Sequence, residues 1–126
     1  MRVLLDTNIL LWWLSADTAL PPRAGQVIAD SDTAVVVSAA SAWEIAIKKA
    51  VGRLDAPDDL VEALDANAFD TLAITAAHAL AAGELPAHHG DPFDRMLIAQ
   101  ARMESLTLVT IDERFAEYDV DLLTIR

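Results

Sequence analysis

The sequence predicts an α/β fold with a central, mainly parallel sheet of four to five strands and helices on both faces. Segments typical of strands alternate with segments typical of helices, and this order favours parallel strands. The run Ala34–Ser38, AVVVS, is apolar and β-branched without alternation, as in a strand buried on both faces. With 126 residues, 54% of them hydrophobic, residues 1–126 are expected to form a single domain with its own core.

The first half of the chain supplies two strands and four helices by this pattern. The predicted elements are a strand at residues 3–5, helices at 8–15 and 21–30, the strand Ala34–Ser38, and helices at 41–52 and 58–66. Pro21 and Pro22 mark the start of the second helix. Ser41 and Glu44 match a Ser-x-x-Glu capping pattern, and Gly52 is a suitable helix stop.

The second half continues the alternation. It is predicted to contain a strand at residues 69–74, helices at 75–83 and 91–104, a strand at 106–112, a helical turn at 113–116 and a last strand at 122–125. Asp91 followed by Pro92 is typical of a helix N-terminus, with the acid as cap and proline at the first helical position.

Composition excludes several classes of protein. There is no cysteine, so disulfides and thiolate metal sites are excluded. No apolar run approaches the roughly 18 residues of a membrane span, and Asp6 interrupts the apolar N-terminus where a signal peptide would be continuous. We therefore expect a cytoplasmic protein that does not enter the membrane.

The charge balance limits how the protein could bind nucleic acid. The formal net charge is −11, from 20 acidic residues against 9 Lys and Arg. Such a protein does not attract a polyanion through its overall field. Any nucleic-acid role must depend on a local basic patch or on bound cations.

Two acids follow predicted strands of the sheet. Asp6 ends the first strand and is followed by Thr7 and Asn8, and Asp112 ends the strand at 106–112, where Thr110 could orient it. In open α/β sheets ligands bind beyond the carboxyl ends of the strands, so both acids should lie at one edge. Helix capping is the structural alternative for Asp6, but three consecutive polar groups exceed what one cap needs.

Three further acids have good structural explanations. Glu44 could complete the capping pattern or pair with Lys48 four residues later. Asp91 is a natural cap, and Asp94 in the first turn of the same helix favours the helix dipole. Neither explanation prevents Glu44 or Asp94 from facing the same edge as Asp6.

Taken together, the acids indicate a metal site more strongly than any one of them does. Asp6, Glu44, Asp94 and Asp112 each stand at a strand end or helix start. Clustered carboxylates raise one another's pKa, and a hard divalent cation relieves the repulsion. Mg²⁺ prefers oxygen ligands, can polarise a phosphate and activate water, and could bring a polyanion to an acidic protein.

The motifs resemble those of one family. The stretches LLDTNILLWWL, SAASAWEIAIKKAVGRL, HHGDPFDRMLIAQARMESLTLVTIDERF and LLTI are similar to PIN-domain ribonucleases, and more narrowly to the VapC toxins of bacterial toxin–antitoxin pairs. The resemblance covers essentially the whole chain, and the combination of motifs is specific although each one is not.

The resemblance implies a PIN-like α/β/α sandwich and a Mg²⁺- or Mn²⁺-dependent endoribonuclease that hydrolyses RNA phosphodiesters with a metal-activated water. It places the catalytic and metal-binding acids at Asp6, Glu44, Asp94 and Asp112. Asp91 stays open between further ligand and helix cap. The supporting side chains are those of Thr7, Asn8 and Thr110.

The resemblance also implies partners. These are an RNA substrate, a small cognate antitoxin that occupies the active site and represses the operon together with the toxin, and a second copy of the chain in a homodimer, giving a heterotetramer or larger assembly. Phosphate contacts are assigned to Lys48, Arg95 and Arg114, although each could be an ordinary solvated charge.

Two alternatives remain open on the sequence. One is a PIN-like scaffold that binds without cutting. The other is a phospho-acceptor receiver domain, which predicts paired acids after the first strand and a late lysine, whereas this chain has one acid at Asp6 and its only lysines are Lys48 and Lys49. The three histidines, at 78, 88 and 89, have no convincing metal-ligand spacing, and we interpret them as structural.

Overall fold

A parallel sheet forms the centre of the computed structural model, which describes residues 1–123 and residue 125. The strands are β1 (Arg2–Leu5), β2 (Ala34–Ser38), β3 (Asp70–Leu72) and β4 (Thr107–Val109). Over the described residues the sheet has four strands in the order β3-β2-β1-β4, and each neighbouring pair is parallel. The predicted parallel sheet is confirmed, with β1 and β2 at its centre.

Helices connect the strands. They are α1 (Thr7–Leu14), α2 (Pro22–Ala29), α3 (Ala39–Ala50), α4 (Leu60–Ala66), α5 (Ala76–Glu84) and α6 (Pro92–Met103), and a 3₁₀ turn spans Glu113–Glu117. Each lies within about two residues of its predicted bounds. The strands predicted at 69–74 and 106–112 are shorter in the structure, at Asp70–Leu72 and Thr107–Val109.

The sheet has a hydrophobic core on each face. Alternate residues of β1 and β2 point to opposite sides: Val3 and Val35 join the core under α1, α2 and α4, while Leu4 and Val36 join the core under α6. Phe115 of the 3₁₀ turn is fully buried in the second core. Burial on both faces explains the unbroken apolar sequence of β2.

The start of α3 differs from the prediction. Ser38, the last residue of β2, is the N-cap, and its Oγ accepts a hydrogen bond from the Ala40 amide (2.9 Å). The predicted capping role of Ser41 and Glu44 is wrong, because both residues lie within α3 and not at its start. Their side chains are buried. Gly52, with φ of 70°, ends the helix as predicted.

The end of the chain only partly tests its prediction. Leu122 forms an isolated parallel bridge with Leu108, next to the short β4. The rest of the predicted strand at 122–125 includes residue 124, which lies outside the described residues. Among the helices that the structure describes, none combines the length and apolar character that a membrane crossing needs.

Candidate metal centre

Asp6 is held at the carboxyl end of β1 by two hydrogen bonds. Its Oδ1 accepts from the Thr7 amide (2.8 Å) and its Oδ2 from Thr110 Oγ1 (2.7 Å). Burial is the main cause that raises the pKa of Asp6. The bonds from Thr110 and Thr7 oppose the rise, and the charges of Glu44 and Asp112 add to it. Asp6 thus caps α1 and faces the other acids at once.

Glu44 lies on the inner side of α3 and is 6% exposed. Its Oε2 accepts from Lys48 Nζ at 2.8 Å, and this hydrogen bond is the main cause that raises the pKa of Lys48. Its Oε1 is buried and has no hydrogen-bond partner within the described part of the chain. A buried oxygen without a partner costs about 1–3 kcal/mol, so the fold keeps Glu44 here at a cost in stability.

Asp94 lies in the first turn of α6 and faces several negative charges. Burial is the first cause that raises its pKa, followed by the charges of Asp6, Asp91, Glu44 and Asp112. Together they raise the pKa of Asp94 to about 8. The side chains of these four acids therefore lie close enough to Asp94 for their charges to disfavour its ionised form.

Asp112 caps the 3₁₀ turn and accepts hydrogen bonds from Arg114. Its Oδ1 accepts from the amide and Nε of Arg114 (3.0 and 3.1 Å), and its Oδ2 from Nη2 (2.8 Å). The Arg114 side chain is the main cause that lowers the pKa of Asp112 to about 2. The Asp112 amide in turn donates to Thr110 Oγ1 (3.0 Å), so one hydroxyl orients Asp6 and the loop that carries Asp112.

His89 lies within this cluster, a position that the sequence analysis did not predict. It is 2% exposed, and its Nε2 lies 2.9 Å from Asp94 Oδ2 and 3.2 Å from Asp112 Oδ2. The ligand atoms of these three residues all lie within 4.8 Å of one another. Its place in the motif HHGDPFD, just before two acids, is the local feature that could have drawn attention to it.

Asp91 is the N-cap of α6. Its Oδ1 accepts from the amides of Phe93 (2.8 Å) and Asp94 (3.2 Å). Neither of these two hydrogen bonds involves Oδ2 of Asp91. Among the supporting residues, Thr7 donates its hydroxyl proton to Ser41 Oγ (3.0 Å), joining α1 to α3, and Asn8 is exposed.

The basic residues have different surroundings. Lys48 and Arg114 have half-exposed or exposed side chains beside cluster acids. The Arg95 guanidinium instead donates to main-chain carbonyls at the end of α5 and in the loop before α6, those of Ala82, Gly83, Leu85, Pro86 and His89. The geometry therefore favours a bracing role for Arg95 over phosphate binding.

The donor set fits a divalent cation. It consists of carboxylate oxygens on four separate elements. One of these oxygens is Glu44 Oε1, which has no hydrogen-bond partner in the described part of the chain. A hard cation would supply the missing partner of that oxygen and offset the repulsion that raises the pKa of Asp94. The arrangement can thus bind a metal ion at a surface where a phosphate could approach Lys48 and Arg114.

Comparisons with known proteins agree on one family. A family model for the PIN domain matches residues 3–121. A curated relative, Ribonuclease VapC22 of Mycobacterium tuberculosis, is 32% identical over 119 residues, which cover 92% of this chain and 91% of the relative.

Solved structures share the fold. VapBC2 from Rickettsia felis, bound to a DNA fragment from its promoter, matches with a TM-score of 0.70 and 17% identity over 98% of both chains. A toxin–antitoxin complex from Klebsiella pneumoniae matches with a TM-score of 0.70, at 20% identity and the same coverage. FitAcB from Neisseria gonorrhoeae has a TM-score of 0.64 and 20% identity, over 98% of this chain and 97% of its own. The fold of this chain is therefore the PIN-like α/β/α sandwich.

Proposed function

This chain belongs to the PIN domain family, and on that premise we propose that it is an endoribonuclease that hydrolyses RNA phosphodiester bonds with a divalent cation, Mg²⁺ or Mn²⁺. The curated relative is a ribonuclease and is similar over nearly the whole length of both chains. The family membership argues against the phospho-acceptor alternative. The sequence does so as well, since Thr7 stands where that class needs a second acid.

One observation carries the proposal most directly. Glu44 Oε1 is buried without a hydrogen-bond partner among the residues that the structure describes, and burial together with the charges of the neighbouring acids raises the pKa of Asp94 to about 8. Such an arrangement destabilises a protein unless a ligand uses it. A cation explains why the fold keeps these carboxylates together.

We assign the metal-binding role to four acids, Asp6, Glu44, Asp94 and Asp112. When bound, a divalent cation polarises a phosphate and lowers the pKa of a water molecule. The protein's own part is to fix the oxygens in place. Thr110 orients Asp6, Lys48 orients Glu44 through Oε2, and Arg114 orients Asp112.

The substrate phosphates need cationic partners, because the chain as a whole carries a charge of −11. Lys48 and Arg114 are suited to this role, since both lie beside cluster acids and remain open to solvent. Each is held near the site by its acid, so it can meet a phosphate without a large rearrangement.

The proposal extends to the assembly. Several similar structures are toxin–antitoxin complexes, and this supports an antitoxin partner for this chain. We further propose that a small antitoxin covers the site and that the chain works as a homodimer. We propose that residues 1–126 act as one domain, in the cytoplasm where RNA is available.

The test is cleavage of total bacterial RNA by the purified, antitoxin-free protein in Mg²⁺ or Mn²⁺. We expect discrete fragments that EDTA abolishes and that Asp6→Asn reduces at least 100-fold, an effect on the order of 3 kcal/mol in transition-state stabilisation. The matched control is Asp32→Asn, an exposed aspartate before β2 at the opposite edge of the sheet, which should cut normally.

Two results would contradict the proposal. Cutting that survives Asp6→Asn would place the active site elsewhere or indicate a contaminating nuclease. A folded wild-type protein that binds the metal but cuts no RNA would favour the non-cutting scaffold.

A further inference from the structure

His89 is fixed in one orientation by groups outside the acid cluster. Its amide donates to the Tyr118 hydroxyl (2.8 Å), and that hydroxyl donates to the Pro86 carbonyl (2.7 Å). Its ring packs edge-on against Phe115, with 5.7 Å between ring centroids. A ring so confined cannot choose its hydrogen-bond partners freely.

The partner of Nδ1 decides where the ring proton lies. Nδ1 accepts a hydrogen bond from the Asp91 amide at 3.1 Å, so this nitrogen presents a lone pair. In a neutral imidazole only one nitrogen carries a proton, and here it is Nε2. A histidine that binds metal through Nε2 has the opposite arrangement, with Nδ1–H donating to an acceptor.

The Nε2–H group of His89 faces two acids on different elements. It hydrogen-bonds Asp112 Oδ2 (3.2 Å) after β4, and Asp94 Oδ2 of α6 lies 2.9 Å from the same nitrogen. The positive end of the N–H dipole therefore lies between the carboxyl groups of Asp94 and Asp112. His89 contacts Oδ2 of each acid and leaves Oδ1 of each outside this interaction.

We propose that His89 is a positioning residue that sets the spacing of Asp94 and Asp112 for metal binding and is not itself a ligand. The proposal rests on the proposed function only in assuming that these acids bind a divalent cation. It gives the loop before α6 a role in the site. The Asp91 amide determines the tautomer of His89, and this tautomer determines the spacing of Asp94 and Asp112.

The tautomer can be observed directly. In protein with ¹⁵N-labelled histidine, long-range ¹⁵N–¹H spectra distinguish a protonated ring nitrogen from a bare one, and His89→Gln identifies the His89 signals among the three histidines. We expect Nε2 to carry the proton in metal-free protein and to keep it when Mg²⁺ is added. Loss of the Nε2 proton on metal addition would make His89 a ligand and overturn the proposal.

Metal affinity tests the positioning role without RNA. We expect His89→Leu, which has no donor, to bind Mn²⁺ about 10–100-fold more weakly than wild type, as measured by calorimetry or by the electron paramagnetic resonance of free Mn²⁺. His89→Gln places an amide N–H near the position of Nε2 and should recover most of the affinity. His88→Leu is the matched control, because His88 contacts Glu117 and Tyr118 and should leave the affinity unchanged.

The remaining outcomes are decisive as well. If folded His89→Leu binds Mn²⁺ as wild type does, the positioning role is wrong and His89 serves only the fold. If wild type shows the Nε2 proton but binds no Mn²⁺, the proposed metal nuclease fails and the role toward the metal falls with it, while the assigned tautomer stands.

Discussion

Asp94 shows at the scale of one residue what the cluster does to its members. Its side chain is 16% exposed and lies among like charges, and burial with those charges raises its pKa to about 8. Asp112, in the same cluster, has its pKa lowered to about 2 by Arg114. The pKa values of two carboxyl groups near one histidine are therefore shifted in opposite directions, because Arg114 donates to Asp112 whereas burial and like charges act on Asp94.

Asp94 should make the metal-free protein less stable as the pH rises. Between its ordinary pKa of 3.8 and the raised value near 8, the folded protein holds a proton that the unfolded chain has released. This contribution to stability is complete below the lower value and is lost as the pH rises through the upper one.

Asp94→Asn removes that proton exchange. In EDTA we expect the free energy of unfolding of wild type to fall relative to that of the variant by up to about 4 kcal/mol between about pH 5 and about pH 9, since each pH unit below the raised pKa contributes about 1.4 kcal/mol. Urea unfolding at both pH values measures the difference. A wild type that gains stability relative to Asp94→Asn on going to high pH would show that the pKa is not raised.

Three of the acids are positioned by capping the start of a helix. Asp6, Asp91 and Asp112 all act as caps, for α1, α6 and the 3₁₀ turn. Capping fixes the direction of a short side chain and leaves the second carboxylate oxygen available for another partner. Because one carboxylate can serve both purposes, the sequence alone does not separate helix capping from metal binding for these acids.

Asp91 can be tested at this scale, and we predict that it serves α6 and does not bind metal. Asp91→Ala should lower the free energy of unfolding by about 1 kcal/mol, since the amides of Phe93 and Asp94 lose their acceptor. Asp91→Asn keeps the acceptor and should keep both stability and RNA cleavage. If Asp91→Asn is stable but no longer binds Mn²⁺ or cuts, the carboxylate is a ligand.

At the scale of the whole molecule, the fold gathers negative charge onto one edge of a sheet. The unfolded chain cannot hold the four acids together, because they are spread from residue 6 to residue 112. A cation that binds the cluster should therefore bind only the folded state and stabilise it.

Mg²⁺ should raise the stability of the whole protein. At a concentration of about 100 times its Kd, the expected gain is about 2.7 kcal/mol in the free energy of unfolding. Glu44→Gln should lose most of this response, whereas Asp32→Asn should keep it. Thermal unfolding against added Mg²⁺ measures the gain. NaCl at matched ionic strength separates metal binding from screening of the net charge. An equal response to NaCl would argue against a specific site.

Local sequence features predicted much of the fold. The β-branched run of β2, the Asp91-Pro92 start of α6 and the Gly52 stop of α3 each gave the right element, since neighbouring residues decide caps and strand propensity. The start of α3 was misplaced because Ser38 and Ser41 are both suitable caps, and only packing shows that Ser41 is buried.

The sequence by itself determined the parallel α/β architecture, the family and the acids to examine, because hydrophobic patterns and motif spacing are encoded over short stretches. Only the tertiary structure decided how these acids are held. Thr110 reaches Asp6 across 104 residues, and the His89 tautomer depends on a loop packed against the 3₁₀ turn. Such contacts join residues remote in the chain, and the packing of separate elements around one sheet determines them.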